Sequence, residues 1–553
     1  MLHLAPFSYG SEAGGIASAA IADSARKRLD EMLSEIPPDV NELELDALIL
    51  YDGSYYEKPD SEIKPLKINV ARLRAATAGK RVDSSSVFDM LAKNPEQSFV
   101  LGKVSFTIRT KPAADFPRDP LAGSIAISLW DKDRRIPWDE VSFAVCAAPG
   151  TCVGVRRASF GFDGFDALRL SLGKQPPAPE GAIHLIELEN HVLHGVFRHS
   201  GDPSYYTWPL AKPLREFQET VQSQLKNLQS IGENGRRNAG EALLGQLFPE
   251  IGNSRALEAR KQFVKFVRPY LNAQPYADEM PVLFFRIAGR QYVEPSLWPL
   301  PFISVNPDAR SDGVFLGRYF RIESPLTNQN YGASNCVSDW ILVGPATEGV
   351  TLNARKKLEA RIIYGADTNP RAIRIAGAEL RMLDNMADFR TFIHGEKDDD
   401  DELNANIQSL VNKSPALMHI LSHHDSNRVY FTDGDGGVYS GQVRRTFAQP
   451  SAVILNGCGT GQPGASDFID RLNRAGIQAA IATVSEVEAE MAGDFLECFA
   501  KQIEEAPEEG LPIGIAYVKT LHCLDLAGYG SKALNYSLLG NSGLKVCKPG
   551  LQR

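Results

Sequence analysis

The chain has 553 residues, more than a single hydrophobic core ordinarily organises, so we predict two or three domains. Hydrophobic residues make up 43% and charged residues 23% of the sequence, which is typical of a globular protein. The net charge of −9 and the pI near 5.7 argue against nucleic-acid binding through a basic surface and against attraction to an anionic membrane. No apolar run reaches the roughly 18 residues of a membrane-spanning helix. The N-terminus lacks the pattern of a signal peptide, so we expect a cytoplasmic protein.

Residues 1–180 are predicted to form a β-rich (α+β) domain. After a short predicted helix over 17–33 come extended runs bounded by Gly, Pro and Asp, among them LDALILYDG, SFVLGKVSFTI, GSIAISLWDKD and DEVSFAVCAA. Several of these runs alternate apolar with polar residues, which indicates a mostly antiparallel sheet. The proline-rich stretch KQPPAPEGA (174–182) marks the boundary of this domain.

Residues 181–334 are predicted to connect the two ends of the chain. Strand-like runs, IHLIELE and HVLHGVFRH, are followed over 212–272 by segments with apolar residues at three- and four-residue steps. That spacing predicts helices. The segment 282–305 reads as a strand, a turn and a proline-rich approach to a core.

Residues 335–553 have a different sequence pattern. Short apolar runs such as DWILVGPA, FRTFIHG, ALMHILSHH, SAVILNGC and IQAAIATV now alternate with helix-like stretches such as RIAGAELRMLDNM and AEMAGDFLECFAKQIEEA. This alternation predicts an α/β domain with a mostly parallel sheet flanked by helices. In such sheets the site lies beyond the carboxyl ends of the strands.

Two predicted strands in this region end at residues that are able to act in catalysis. The strand ALMHIL leads into His423 and His424, and the strand SAVILNG leads into Cys458. On adjacent parallel strands these side chains would emerge at one edge of the sheet, as a Cys–His pair requires. A thiol titrates near about 8.5, so an imidazole is needed to accept its proton at neutral pH. A lone cysteine or histidine after a strand is ordinarily structural, and it is the combination at successive strands that indicates a site.

The residues around the thiol are small. Gly457, Gly459 and Gly461 would let a substrate backbone approach closely. The backbone N–H of Cys458 would then help to bind an oxyanion.

No other cysteine has such a context. The sequence has seven cysteines and no C-x-x-C pair, so we expect most of the others to be buried thiols in a reducing compartment. We expect no metal and no cofactor. The glycine-rich stretch TDGDGGVYSG (432–441) lacks the later Glu of a calcium loop and is read as a hairpin turn.

These motifs resemble the CHAT family of caspase-like domains. The resemblance lies in LMHILSHH (417–424), VILNGCGTG (453–461), AGIQAAIATVSEVEAEMAGDFLECF (475–499), PIGIAYVKTLHCL (512–524) and YSLLGNSGLKVC (536–547). A less specific block, SLWPLPFISV (296–305), is similar to the family's segment before the sheet, so the resemblance covers roughly 240–550. It implies a caspase-like fold for 335–553, with the N-terminal part of the CHAT region in 181–334.

The resemblance implies a cysteine endopeptidase. The family's catalytic histidine falls on His423 and its nucleophile on Cys458, with His419 and His424 as nearby alternatives. His419 lies within the strand, so we favour His423. Where the family has Gly after the histidine this chain has His424, whose backbone N–H would join that of Cys458 in the oxyanion hole.

The resemblance also bears on specificity. Relatives that cut after Arg or Lys often have Asp two residues before the cysteine, where this chain has Asn456. A basic residue before the scissile bond is therefore less strongly implied. We name Asn456, Asp425 and Glu486 as candidate substrate-binding residues, with Glu488 as a further source of charge.

The expected partners are a protein substrate and an activating partner or ligand that acts through the N-terminal region. CHAT proteins commonly serve bacterial stress or antiviral defence modules in this way. Two alternatives stay open: an inactive CHAT scaffold that binds a partner protein, and another Cys–His hydrolase such as an amidase or acyltransferase.

Overall fold

The fold is taken from a computed structural model. It describes the following residues: 2–4, 38–71, 102–104, 106–112, 123–132, 136–145, 156–160, 178–188, 191–210, 212–227, 232–249, 253–288, 300–306, 313–324, 326, 340–344, 351–353, 359–361, 390–393, 417–421, 423–425, 428–430, 438–439, 451–460 and 466–547.

Two compact units divide the chain. The first comprises Met1–Leu214 with Ala288–Tyr292, and the second comprises Arg215–Ile287 with Val293–Arg553. The three-part division predicted from the sequence, at 180 and 334, stays a prediction.

The first unit is built from β-strands. Its described strands are β1 (Leu2–Leu4), β2 (Glu42–Tyr51), β3 (Ile63–Asn69), β4 (Gly102–Val104), β5 (Gly123–Asp131), β6 (Ile136–Val145), β7 (Arg156–Phe160), β8 (Gly181–Glu187), β9 (Leu193–His199) and β10 (Asp202–Pro209).

The predicted antiparallel sheet is present in this unit. Five strands pair in the order β3-β2-β5-β6-β7, and each neighbouring pair is antiparallel. Strand β5 is buried along its whole length, as expected for the centre of a sheet. Strands β8, β9 and β10 form a further antiparallel run, in which Gly195 leaves room for the indole of Trp208.

Three helices of the second unit fall within the predicted helical segment 212–272: α1 (Leu214–Asn227), α2 (Glu233–Leu247) and α3 (Ser254–Val267). Helix α3 begins after Asn253, whose side chain accepts a hydrogen bond from the N–H of Ala256 at 3.0 Å, as N-cap residues do. In α2, a Cβ at Gly240 would lie 2.2 Å from the Phe302 carbonyl oxygen. This close approach fixes α2 against the chain that follows it.

The remaining α-helices among the described residues are α4 (Ser466–Arg474), α5 (Ala489–Glu504) and α6 (Ile513–Leu524). A π-helical turn (Asp525–Tyr529) and a 3-10 helix (Gly530–Asn535) follow α6, and further 3-10 turns span Tyr270–Asn272, Leu300–Phe302 and Leu316–Arg318. We refer to residues 525–535 as the post-α6 segment.

The described strands of the second unit are β11 (Val282–Ala288), β12 (Ser304–Val305), β13 (Val314–Phe315), β14 (Arg321–Glu323), β15 (Trp340–Gly344), β16 (Thr351–Asn353), β17 (Glu359–Arg361), β18 (Arg390–Ile393), β19 (Leu417–Leu421), β20 (His423–Asp425), β21 (Arg428–Tyr430), β22 (Val438–Tyr439), β23 (Ser451–Asn456), β24 (Ile477–Thr483), β25 (Leu511–Pro512), β26 (Tyr536–Gly540) and β27 (Lys545–Val546).

A six-stranded sheet organises this unit, in the order β18-β15-β19-β23-β24-β26. Neighbouring strands from β18 to β24 are parallel, which confirms the predicted mostly parallel sheet. Strand β26 is antiparallel to β24, with Tyr536 opposite Thr483. Strands β23 and β24 are buried along their length, which accounts for their largely apolar sequences.

The cysteines depart from expectation. Cys498 of α5 and Cys523 of α6 form a disulfide with a Cα–Cα distance of 5.9 Å, and Cys547 is also disulfide-bonded. The expectation that these residues are buried thiols is therefore wrong. The physical reason is that packing α5 against α6 brings the two backbones within disulfide reach.

Within the described ranges, no helix has the length and apolar character needed to cross a membrane. The helices predicted over 17–33 and in RIAGAELRMLDNM lie outside the described residues, as does most of the stretch 432–441. Its described part, β22, pairs antiparallel with β21 and so belongs to a hairpin.

Candidate active site

The strands that precede His423 and Cys458 are neighbours. Strands β19 and β23 are parallel, and their last residues, Leu421 and Asn456, are paired. The chain therefore leaves both strands at the same edge of the sheet. His423 and His424 begin β20 there, while Cys458 lies in the turn after β23. The side chains of His423, His424 and Asp425 lie outside the described part of the structure.

The turn that carries Cys458 is fixed by its backbone. Gly459 has a φ of 61°, in the left-handed region that favours glycine. Its N–H donates to the Ser485 carbonyl at 3.0 Å. That N–H is thus already bonded within the protein, so it is not available to bind a substrate oxyanion.

Two buried threonines, Thr460 and Thr483, form hydrogen bonds that hold the same turn. The Thr460 hydroxyl donates to the Leu455 carbonyl at 3.0 Å and accepts from the Thr483 N–H at 2.9 Å. The Thr483 hydroxyl accepts from the Thr460 N–H at 3.1 Å and donates to the Gly457 carbonyl. These bonds tie the residues on both sides of Cys458 to the end of β24.

A cavity of about 240 Å³ opens beside Cys458. Val487 and Met491 give it apolar walls. Its full lining is Arg236, Cys458, Glu486, Val487, Glu488, Met491, Lys532 and Asn535. The cavity therefore combines one thiol with groups of both charges.

The Cys458 thiol is half-buried and free. Its Sγ lies 3.6 Å from the Val487 carbonyl oxygen, towards which the thiol is directed. Burial raises the pKa of this thiol, and the negative charge of Glu486 raises it further. At neutral pH the group is a thiol, so a nucleophilic role requires a base that takes its proton.

Asn456 does not line this cavity. It is 1% exposed, and its amide group donates to the Ala492 carbonyl at 2.8 Å. Its Oδ1 accepts from the Tyr536 hydroxyl at 2.6 Å. The structure thus places this predicted substrate-binding side chain inside the domain, with its amide hydrogen-bonded to protein groups.

His419 belongs to the same interior network. Its Nε2 lies 3.2 Å from the Asn456 Nδ2, and the residue is fully buried. Burial lowers the pKa of this imidazole to about 3, so it is neutral. His419 does not line the cavity, whereas the predicted residue Glu486 does.

Three polar residues of the cavity, Arg236, Lys532 and Asn535, were not predicted from the sequence. Arg236 comes from α2, and the other two come from the post-α6 segment. The Asn535 amide donates to the Glu486 carbonyl at 3.3 Å, and Lys532 forms an ion pair with Glu488. No local motif marks these residues, because only the folded chain brings them to Cys458.

Comparisons with known proteins give weak likenesses. No protein-family model matches the chain, and no curated protein matches it. Among solved structures, the Arg-specific cysteine proteinase gingipain R is similar with a TM-score of 0.33 and 10% identity, over 61% of this chain and 76% of that chain. The Saccharomyces cerevisiae separase–securin complex is similar with a TM-score of 0.37 and 9% identity, over 66% of this chain.

A third similar structure is the complex of the pro- and mature domains of RgpB from Porphyromonas gingivalis, with a TM-score of 0.31, 10% identity and coverage of 60% of this chain and 77% of that chain. In the separase complex, the matched region spans 30% of the other chain. At these TM-scores the activity of the present chain has to be argued from its own residues.

Proposed function

We propose that this protein is a caspase-like cysteine endopeptidase of the CHAT kind, with Cys458 as nucleophile and His423 as general base. The observation that carries the proposal is the pairing of Leu421 with Asn456 at the ends of parallel neighbours. Because of this register, the residues that follow the two strands share one edge of the sheet. A cavity beside the thiol adds a place for a substrate side chain.

In the proposed reaction, the His423 imidazole accepts the Cys458 thiol proton and the thiolate attacks the carbonyl carbon of the scissile peptide bond. The backbone N–H groups of Cys458 and His424 bind the oxyanion. The C–N bond breaks, and the amine leaves with the proton from the imidazolium. A water molecule then hydrolyses the thioester and restores the thiol.

The raised pKa of Cys458 supports the need for such a base. Burial and Glu486 both favour the protonated thiol, so little thiolate forms at neutral pH without proton transfer. Such a resting thiol fits an enzyme that is activated by a partner, which in this proposal acts through the N-terminal region. The proposed setting is a bacterial stress or antiviral defence system.

The test uses the purified full chain and lysate of the source organism, with and without proteins encoded beside its gene. Newly formed N-termini are identified by mass spectrometry for the wild type, Cys458→Ala and His423→Ala. His191→Asn is the matched control, because His191 is an exposed histidine with a φ of 64°, which asparagine tolerates.

We expect new N-termini with the wild type and with His191→Asn, and none with the other two variants. Cleavage that persists in Cys458→Ala would exclude this nucleophile. If no lysate or neighbouring protein yields a Cys458-dependent product, the inactive scaffold is the better reading. Products from small acyl substrates alone would favour an amidase or acyltransferase.

A further inference from the structure

A buried arginine lies on the cavity beside Cys458. Arg236 of α2 is 6% exposed, and its Nη1 donates to the Ser531 hydroxyl at 3.2 Å. The same nitrogen is 3.8 Å from Glu233 Oε2. The Ser531 hydroxyl donates in turn to Glu233 Oε2 at 2.6 Å. These contacts hold the guanidinium in a fixed place next to the space that a substrate side chain would enter.

Burial makes the positive charge of Arg236 energetically unfavourable. Burial lowers the pKa of the guanidinium, and the charges of Glu233 and Glu488 offset this only in part. A buried cation gains most from a carboxylate that reaches it inside the protein, where water does not screen the pair. The Arg236 environment therefore favours an anionic group in the cavity.

The other charged residues that line the cavity have a smaller effect on which side chain binds there. Glu486 and Glu488 are exposed, so water and salt screen their attraction for a basic group. Lys532 pairs with Glu488, whose side chain is 60% exposed. An ion pair at the surface contributes little stability, so Lys532 can leave Glu488 and pair with another carboxylate at little cost.

The cavity has the size of one side chain. Its volume of about 240 Å³ is below the roughly 300–1,000 Å³ of pockets that hold whole small molecules. Val487 and Met491 offer apolar surface for the methylene groups of such a side chain. Asn535 is 6% exposed and completes the polar part of the lining.

We propose that this cavity takes an aspartate or glutamate side chain of the substrate, at the residue before the scissile bond, and that Arg236 is the specificity-determining residue. The inference rests on the proposed endopeptidase function. A lysine or arginine side chain would instead meet Arg236 and Lys532 as like charges.

The test measures how fast peptidyl acyloxymethyl ketones label Cys458 in the full chain, by intact mass. The ketones differ only in the residue next to the reactive group, which is Asp, Glu, Leu or Lys. The variants are Arg236→Met, Arg236→Lys and the neighbouring control Arg237→Met, since Arg237 does not line the cavity. Thermal unfolding of each variant checks that it folds.

In the wild type and in Arg237→Met, we expect the Asp or Glu ketone to label Cys458 at least about 100-fold faster than the Lys ketone, as the loss of a buried charge pair implies. Arg236→Met should remove this preference, and Arg236→Lys should retain part of it. A wild-type preference for Lys or Leu would overturn the inference and leave the endopeptidase proposal intact.

A preference for acids that persists in a folded Arg236→Met variant would likewise overturn the role of Arg236. If iodoacetamide alkylates Cys458 but none of the ketones does, with or without the proteins encoded beside the gene, the endopeptidase proposal fails. The specificity inference then fails with it.

Discussion

Removing the Thr483 hydroxyl tests how the turn around Cys458 is held. In Thr483→Val, the Thr460 N–H loses its acceptor and the Gly457 carbonyl loses its donor, while the side-chain volume is nearly unchanged. Thr483 is fully buried and Thr460 is 1% exposed, so water does not replace these partners readily. Each buried polar group left unpaired costs about 1–3 kcal/mol, so the two groups together should lower the free energy of unfolding by roughly 2–6 kcal/mol.

The matched control is Thr520→Val in α6. Thr520 is also fully buried, but its hydroxyl donates to the Ala516 carbonyl at 2.8 Å, four residues back in the same helix. That carbonyl already accepts the helical N–H bond. The control variant should therefore lose less than about 1 kcal/mol.

The assay is urea unfolding of both variants, together with the rate at which iodoacetamide alkylates Cys458. We expect Thr483→Val to lower stability and to change the alkylation rate, because the turn no longer holds the thiol towards the Val487 carbonyl. Equal stability losses in Thr483→Val and Thr520→Val would refute the view that these bonds fix the turn.

Two further predictions follow from the interior of the second unit. Replacing Cys498 and Cys523 together by serine should lower the free energy of unfolding by about 3.5 kcal/mol for a separation of 25 residues; an unchanged urea midpoint in oxidising buffer would contradict a stabilising crosslink. Burial lowers the pKa of His419 from 6.5 to about 3, so between these pH values the unfolded chain binds a proton there that the native chain does not. Stability should therefore fall as the pH drops below 6.5, by up to about 1.4 kcal/mol per pH unit; the same slope in His419→Gln, measured by urea unfolding at pH 4–7, would exclude His419 as its source.

The sheet around Cys458 was predictable from the sequence because its strands are short and largely apolar. Both SAVILN and IQAAIAT form fully buried strands, as the predicted parallel sheet required. The position of Cys458 directly after β23 followed from the same pattern. The adjacency of β19 and β23 is now a structural fact, whereas the catalytic roles of His423 and Cys458 stay proposals.

The polar contacts were less accessible from the sequence because their partners are distant along the chain. Asn456 was predicted to bind substrate, yet its Oδ1 accepts a hydrogen bond from the Tyr536 hydroxyl, 80 residues away in the chain. Arg236 meets Ser531 at a separation of 295 residues. Neither contact has a local periodicity or motif, so only the packing of distant segments determines them. The same holds for the disulfide between α5 and α6.

The direction of β26 determines which segment of the chain lines the cavity beside Cys458. Because β26 runs against β24, with Tyr536 opposite Thr483, the post-α6 segment arrives at the edge of the sheet where Cys458 lies. If β26 were parallel to β24, the residues after β26, rather than those before it, would lie at this edge of the sheet. The post-α6 segment contributes Lys532 and Asn535 to the cavity but no strand to the sheet. Substitutions in this segment can therefore change the cavity wall without altering the strand that precedes the thiol.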